Sequence, residues 1–251
     1  MNIVNLEVRD LPAAWFETLF KILEEGTVFT IDEGSYAGQK RLEFDYITIK
    51  INYPGTNPLL PQIEAHYGIP NPVADDYLDE YLPYLMTGDK QPGEDYTYGE
   101  RLVAGAVLYD RELYGPHDIY GGEVNQIETI IDRYKKHGHR NNQLILQIGQ
   151  PGDILLEDPP CLRHIDTRIQ NGVLHFFVYF RSWDLWGGFP ANLAAIEMLK
   201  QYMAAEIGVE SGEIIAASKG LHLYDYSFDL AKLLRMKEDI VLKEGEVNDK
   251  V

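Results

Sequence analysis

Cysteine is nearly absent from this chain: Cys161 is the only one in 251 residues, which excludes an intrachain disulfide. Basic residues are scarce as well. Against 40 Asp and Glu stand 22 Lys and Arg, a formal net charge of -18 at pH 7. Nucleic acid is therefore a poor match as main partner, because neutralising its phosphates needs clustered cations. A small phosphate ligand is not excluded, since one preorganised arginine with a few hydroxyl or backbone donors can hold it against an unfavourable mean field. Long apolar runs are missing too. No stretch approaches the roughly 18 uninterrupted apolar residues of a membrane span, so no membrane partner is expected. The first ten residues, Met1 to Asp10, carry neither the basic start nor the apolar core of a secretory signal, which predicts a cytoplasmic location.

What is present suits a soluble globular protein with a substantial core: 45% hydrophobic and 25% charged residues. Apolar spacing predicts a helix over Leu11 to Glu25, stopped by Gly26, then a strand from Leu42 to Asn52. Helices are predicted over Asp75 to Met86, Tyr96 to Tyr109 and Val124 to Lys136, and a strand over Gln143 to Ile148. Arg163 to Ile169 and Val173 to Phe180, separated by Asn171-Gly172, carry the signature of a hairpin. Asn192 to Ile207 is predicted helical, Gly212 to Tyr226 a strand pair, and Lys237 to Val251 a mobile acidic end. No composition shift, long linker or internal repeat divides the chain. Residues 1–251 thus read as one α/β (α+β) domain, a mixed sheet covered by helices.

A lone cysteine is ordinarily a small buried hydrophobe. Cys161, however, follows Pro159-Pro160, which fix the backbone at the entrance to a strand and hold the thiol at a defined point. Arg181 and Ser182 end the later strand, where a guanidinium fork and a hydroxyl can both donate to phosphate. An arginine beside the thiol would also favour the thiolate. Gly187-Gly188 permit close approach of a flat ligand, and Asp184 can accept from an amino-substituted heterocycle. Asn192 offers the donor and acceptor suited to a pyrimidine edge, or else caps the following helix. His222 and Tyr224 alternate on a strand and share a face, as a hydroxyl-binding pair or as core residues.

Taken together, Pro160-Cys161, Arg181-Ser182-x-Asp184, Gly188-x-Pro190-x-Asn192 and His222-x-Tyr224 resemble the thymidylate synthase family over roughly residues 140–226. Tyr96-Thr97-Tyr98-Gly99-Glu100-Arg101-Leu102 is similar to a further segment of those enzymes, in a form closest to the archaeal-type branch. The resemblance implies a homodimer with sheets packed against each other. It also implies a methyltransferase of dTMP biosynthesis that reductively methylates dUMP. The co-substrate would be 5,10-methylenetetrahydrofolate or a related methylene-tetrahydropterin, with no metal. By the same resemblance Cys161 would add to carbon 6 of uracil, Arg181 and Ser182 would grip the 5'-phosphate, and Asn192 would read the base. His222 and Tyr224 would bind the 3'-hydroxyl, Asp184 with Gly188 would meet the pterin, and Tyr98 would help remove the proton from carbon 5. Arg140, or His139 beside it, would stand in for the arginines that reach the phosphate from the partner subunit. The chain departs from the family at Leu162, where histidine is usual, at Phe180, where glutamine is common, and at Asn141-Asn142, where two arginines are expected. For the family's catalytic glutamate it offers Asp79, Glu80 or, at the literal counterpart, Tyr81. Pyrimidine nucleotide hydroxymethylation, or dUMP binding without turnover, stays open beside methylation.

Overall fold

The computed structural model describes residues 1–32, 36–74, 76–107, 122–237 and 239–245, without the side chains of Glu80 and Val107. Among them a six-stranded sheet carries the order β1 (Ile3–Val8), β4 (Tyr46–Ile51), β11 (Glu210–Ser218), β9 (Val173–Phe180), β8 (Leu162–Gln170), β7 (Ile145–Gln147). Its pairings are mixed: β1–β4 and β11–β9 are parallel, the others antiparallel. A second sheet runs β10 (Trp183–Asp184), β12 (Leu221–Tyr224), β3 (Lys40–Glu43), β2 (Thr27–Thr30), β13 (Lys243–Glu244). A short ribbon pairs β5 (Gly105–Val107) with β6 (Gly122–Val124).

Alternation decides which face of the large sheet is buried. Ile47, Ile49 and Ile51, Leu174, Phe176, Val178 and Phe180, with Ile214 and Ala216, point to the helical side and are almost completely buried. His175, Phe177, Tyr179 and Ile215 point the other way and remain half-buried or exposed. Helix α5 (Gly188–Ile207) is apolar nearly all round and lies in the core, packed against α1 (Leu11–Glu25), α2 (Tyr77–Met86), α4 (Gln126–His137) and the large sheet. Helix α1 starts where the Asp10 carboxylate accepts the Ala13 N–H at 3.0 Å, and its stripe from Leu11 to Leu23 is buried. The indole of Trp15 donates to the carbonyls of Leu185 (2.9 Å) and Trp186 (3.2 Å), tying this helix to the segment after Arg181. No helix among the described residues is long and apolar enough to cross a membrane.

The helix at Leu11–Glu25 and the hairpin follow the sequence pattern. Asn171 and Gly172 have φ of 55° and 76°, the left-handed pair that a two-residue turn of the favoured twist requires. Four elements differ. The stretch Leu42 to Asn52 is two strands in different sheets, because Phe44 leaves β3 to exchange backbone bonds with Gly220 and Leu221 before β4 begins. Gly212 to Tyr226 likewise contains two strands that do not pair with each other; the chain turns at Gly220 (φ 76°) and passes from one sheet to the other. Tyr96 to Tyr109 forms only the short helix α3 (Tyr98–Val103), capped by Thr97, before β5 begins; Leu108 and Tyr109 lie outside the described residues. In the end expected to be mobile, Lys243 and Glu244 pair as a strand with Thr27 and Val28. Residues 246–251 and Asp75 fall outside the description. Strand β1, which the apolar pattern does not announce, completes the edge of the large sheet.

Candidate active site

The hairpin sets the spacing between the thiol and the guanidinium. Counted back from the Asn171-Gly172 turn, the regular register pairs His164 with Tyr179 and would carry Cys161 past Arg181. A one-residue shift between Leu162 and His164 intervenes, with Arg163 as the extra residue. Leu162 then faces Phe180, and the Arg181 N–H donates to the Cys161 carbonyl at 2.8 Å. Beyond the hairpin, β10 pairs parallel to β12 and sets Asp184 beside His222.

These residues line a cavity of about 430 Å³ shared by Cys161, Arg181, Ser182, Asp184, His222 and Tyr224. Such a volume suits a small ligand. The wall also carries Arg41, Tyr36 and Tyr226, which the sequence pattern does not single out; Tyr36 stacks on Tyr224 with ring centroids 4.6 Å apart. Arg181 rests on the segment before the thiol: Nε donates to the Pro160 carbonyl at 3.2 Å, and Nη2 to Asp158 Oδ1 at 3.2 Å and to the Pro159 carbonyl. Among the described residues its Nη1 has no protein partner.

His222 is 3% exposed. Its Nδ1 lies 2.9 Å from the Gly220 carbonyl, which can only accept, so Nδ1 carries the proton. Nε2 is then a buried acceptor without a partner among the described residues, on a side chain that lines the cavity. Burial holds the imidazole below its ordinary pKa, which keeps it neutral. A neutral imidazole with a free lone pair is suited to receive a ligand hydroxyl. Burial pushes the Tyr224 phenol up to about 12, so it remains protonated and able to donate.

The thiol feels both its charged neighbours and its burial. Arg181 does pull the Cys161 pKa down, but burial outweighs it and Asp158 adds to the rise, so the pKa lies above that of an ordinary cysteine. In the free protein this is a shielded thiol and not a standing thiolate.

Tyr98 and Asn192 stand outside the cavity lining, bonded to Leu162 and Trp183, the chain neighbours of lining residues. The Leu162 N–H donates to the Tyr98 hydroxyl at 3.2 Å, directly after the thiol residue. Burial, reinforced by Cys161, raises the Tyr98 phenol pKa, while Tyr96 is pushed up to about 12 by burial and the same thiol. Gly99 makes this placement possible, because a Cβ there would collide with the carbonyls of Tyr84 and Thr87 at the end of α2. Asn192 lies in the second turn of α5 and caps nothing. The start of α5 is held by Asp184, whose Oδ2 accepts the N–H groups of Gly187 and Gly188, both at 3.0 Å, and whose Oδ1 accepts that of Trp186 at 3.2 Å. A carboxylate has about four acceptor positions, so it retains one for a ligand donor. Of the candidates for a catalytic glutamate, Asp79 is exposed and the Glu80 side chain lies outside the description, whereas Tyr81 touches Asn192. Arg140 is exposed in a separate cavity of about 330 Å³ with His139, Asn142 and Arg168, away from Cys161. Among the described residues no three His, Cys, Asp or Glu side chains gather closely enough to hold a metal ion.

The family model for thymidylate synthase matches residues 78–246. The chain is 28% identical over 227 residues to a protein of Methanosarcina mazei provisionally named thymidylate synthase, covering 90% of this chain and 92% of that one. A protein of the same name in Methanosarcina acetivorans is 29% identical with the same coverage. One in Methanothermobacter thermautotrophicus is 26% identical over 234 residues, 91% of this chain and 96% of the relative.

Proposed function

Because the chain belongs to the thymidylate synthase family, we propose that it is an enzyme that methylates dUMP reductively to dTMP. The observation that carries the reading is one cavity in which a thiol, a guanidinium whose Nη1 has no partner among the described residues and a buried imidazole acceptor converge. The Cys161 sulfur adds to carbon 6 of the uracil ring, and the displaced electron pair is carried as an enolate across carbon 5, carbon 4 and its oxygen. This turns carbon 5 into a nucleophile and splits one hard step into easier ones. Hydrogen-bond donors placed beforehand stabilise the enolate, and the Asn192 amide is assigned that part. Arg181 and Ser182 take the 5'-phosphate, which competes with Asp158 for the guanidinium. His222 Nε2 accepts from the 3'-hydroxyl and Tyr224 closes that end. Tyr98, held at the thiol by Leu162, assists loss of the proton from carbon 5.

A methylene-tetrahydropterin, 5,10-methylenetetrahydrofolate or a relative, supplies the one-carbon unit and the hydride when bound. The remaining acceptor position of Asp184, beside the Gly187-Gly188 backbone, fits the amino-substituted ring of such a co-substrate. We assign the half-exposed outer face of the large sheet, with Phe177, Tyr179 and Ile215, as the contact of a homodimer. That arrangement would let Arg140, remote from its own thiol, serve the partner's phosphate. Sedimentation at micromolar concentration is expected to give twice the chain mass; a monomer would remove this part of the reading.

Incubation with dUMP and methylenetetrahydrofolate, or a methylene-tetrahydropterin of another class, is expected to yield dTMP. Hydroxymethylated product would transfer the chain to hydroxymethylation. Binding of dUMP with neither product nor hydrogen release from carbon 5 would leave a binding protein.

A further inference from the structure

Asn192 is gripped from two sides by chemically unequal partners. The Trp183 indole Nε1–H donates to its Oδ1 at 3.1 Å, and its Nδ2 donates to the Tyr81 hydroxyl at 2.8 Å. An indole nitrogen can only donate, so the amide oxygen has to face it; the reverse flip would set N–H against N–H. The Tyr81 hydroxyl can donate or accept and adapts to either flip. Trp183 is itself immobilised, 2% exposed, stacked on Phe180 (centroids 4.0 Å apart, planes 7° apart) and packed at a tilt against Phe189 (4.5 Å, 36°). The amide therefore has one orientation, with one N–H and one lone pair left over.

We propose that Trp183 is a specificity-determining positioning residue that, by fixing the flip of the Asn192 amide, makes the site accept uracil and refuse cytosine. The proposal rests on the reading that Asn192 faces the pyrimidine. Uracil presents a carbonyl at carbon 4 beside the N3–H donor; cytosine presents an amino donor beside the N3 acceptor. An amide free to turn half a revolution offers donor and acceptor in either order and pairs with both bases. Locked by the indole, it pairs with one, and the other meets donor against donor and acceptor against acceptor in a partly buried place. Tyr81 follows the orientation without dictating it.

The test is calorimetric titration of dUMP and dCMP against the full chain and its variants. The unsubstituted chain is expected to prefer dUMP. Trp183→Phe keeps an aromatic ring and deletes the N–H, and is expected to narrow the dUMP-to-dCMP affinity ratio by about tenfold, the size of one net hydrogen bond. Equal weakening of both nucleotides with the ratio intact would overturn the proposal. Tyr81→Phe is expected to keep the ratio within about threefold; a narrowing as large as that of Trp183→Phe would also overturn it. In an Asn192→Asp background the two carboxylate oxygens are equivalent, so adding Trp183→Phe should leave the ratio unchanged, and a change of the original size there counts against the amide flip. If Trp183→Phe does not fold, the benzothienylalanine analogue at position 183, with sulfur replacing N–H in the same shape, gives the same comparison. Should the unsubstituted chain bind neither nucleotide, the dUMP reading fails first and this one with it. If it prefers dUMP and the ratio survives Trp183→Phe, only this one fails.

Discussion

Cys161→Ala is expected to abolish formation of a covalent adduct with 5-fluoro-dUMP and to lower turnover on the order of 10⁴-fold or more, while dUMP affinity changes by less than about tenfold. In the proposed reaction the thiol is the group that forms a bond, whereas the affinity for dUMP is assigned to Arg181, Ser182, His222 and Tyr224 around it. Mass spectrometry of the intact chain after exposure to 5-fluoro-dUMP and the methylene-tetrahydropterin reads the adduct directly. An adduct that survives the substitution would place the nucleophile elsewhere. The pH dependence of the same thiol has a defined sign. Burial disfavours its charged form, so alkylation by iodoacetamide in the ligand-free protein should rise through a midpoint above that of an ordinary cysteine. Arg181 stabilises the thiolate, and Arg181→Gln should move the midpoint further up. Asp158 opposes it, and Asp158→Asn should move the midpoint down. A midpoint below the ordinary value would contradict the burial argument.

The second large effect concerns stability. Asp153→Ala is expected to destabilise the fold by about 3–5 kcal/mol, because removing one member of a buried charge cluster leaves the others uncompensated. The Asp153 side chain is 3% exposed and accepts Arg101 Nη2 at 3.0 Å, Arg163 Nη1 at 3.1 Å and the Gln150 N–H at 2.7 Å. Arg101 lies on the helix that carries Tyr98 and also sits over the Tyr96 ring at 5.8 Å. Arg163 is the extra residue of the hairpin, and its Nη1 also donates to the Pro160 carbonyl at 3.3 Å. One carboxylate thus ties the tyrosine helix to the loop that delivers the thiol. Urea denaturation should show a midpoint lower by about 1–2 M. A loss under about 1 kcal/mol would mean that water or the neighbouring carbonyls satisfy both arginines.

Much of the site was legible because its spacing is local. Asn171-Gly172 imposes a turn, and the two prolines before Cys161 give the hairpin a fixed entrance; a chain that alternates on either side of such a turn brings Cys161 to the same end of the hairpin as Arg181, though not into register with it. The residues that complete the site left little trace in the sequence. Tyr36, Arg41 and Tyr226 reach the cavity through a second sheet built from distant segments. Asp153 is an ordinary acid after Pro151-Gly152, and the pair formed by Lys200 and Glu197 at 2.7 Å in the core looks like any two charges on a helix. Tyr77, Tyr81 and Tyr84 recur at helical spacing, which places them on one face without saying that Tyr81 meets Asn192.

The sequence by itself determined the single thiol, the absence of a disulfide, the unfavourable charge for nucleic acid, the hairpin turn and the family resemblance. Each of these depends only on residue type or on neighbours a few positions apart. The tertiary structure decided the one-residue shift that puts Cys161 opposite Arg181 and the strands that change sheets at Phe44 and Gly220. It also decided the burial that lifts the thiol pKa against the pull of Arg181, and the indole that fixes Asn192. The physical reason is common to all four. Register, desolvation and the orientation of an amide are set by groups far away in the chain, and only packing brings them within the few ångströms over which they act.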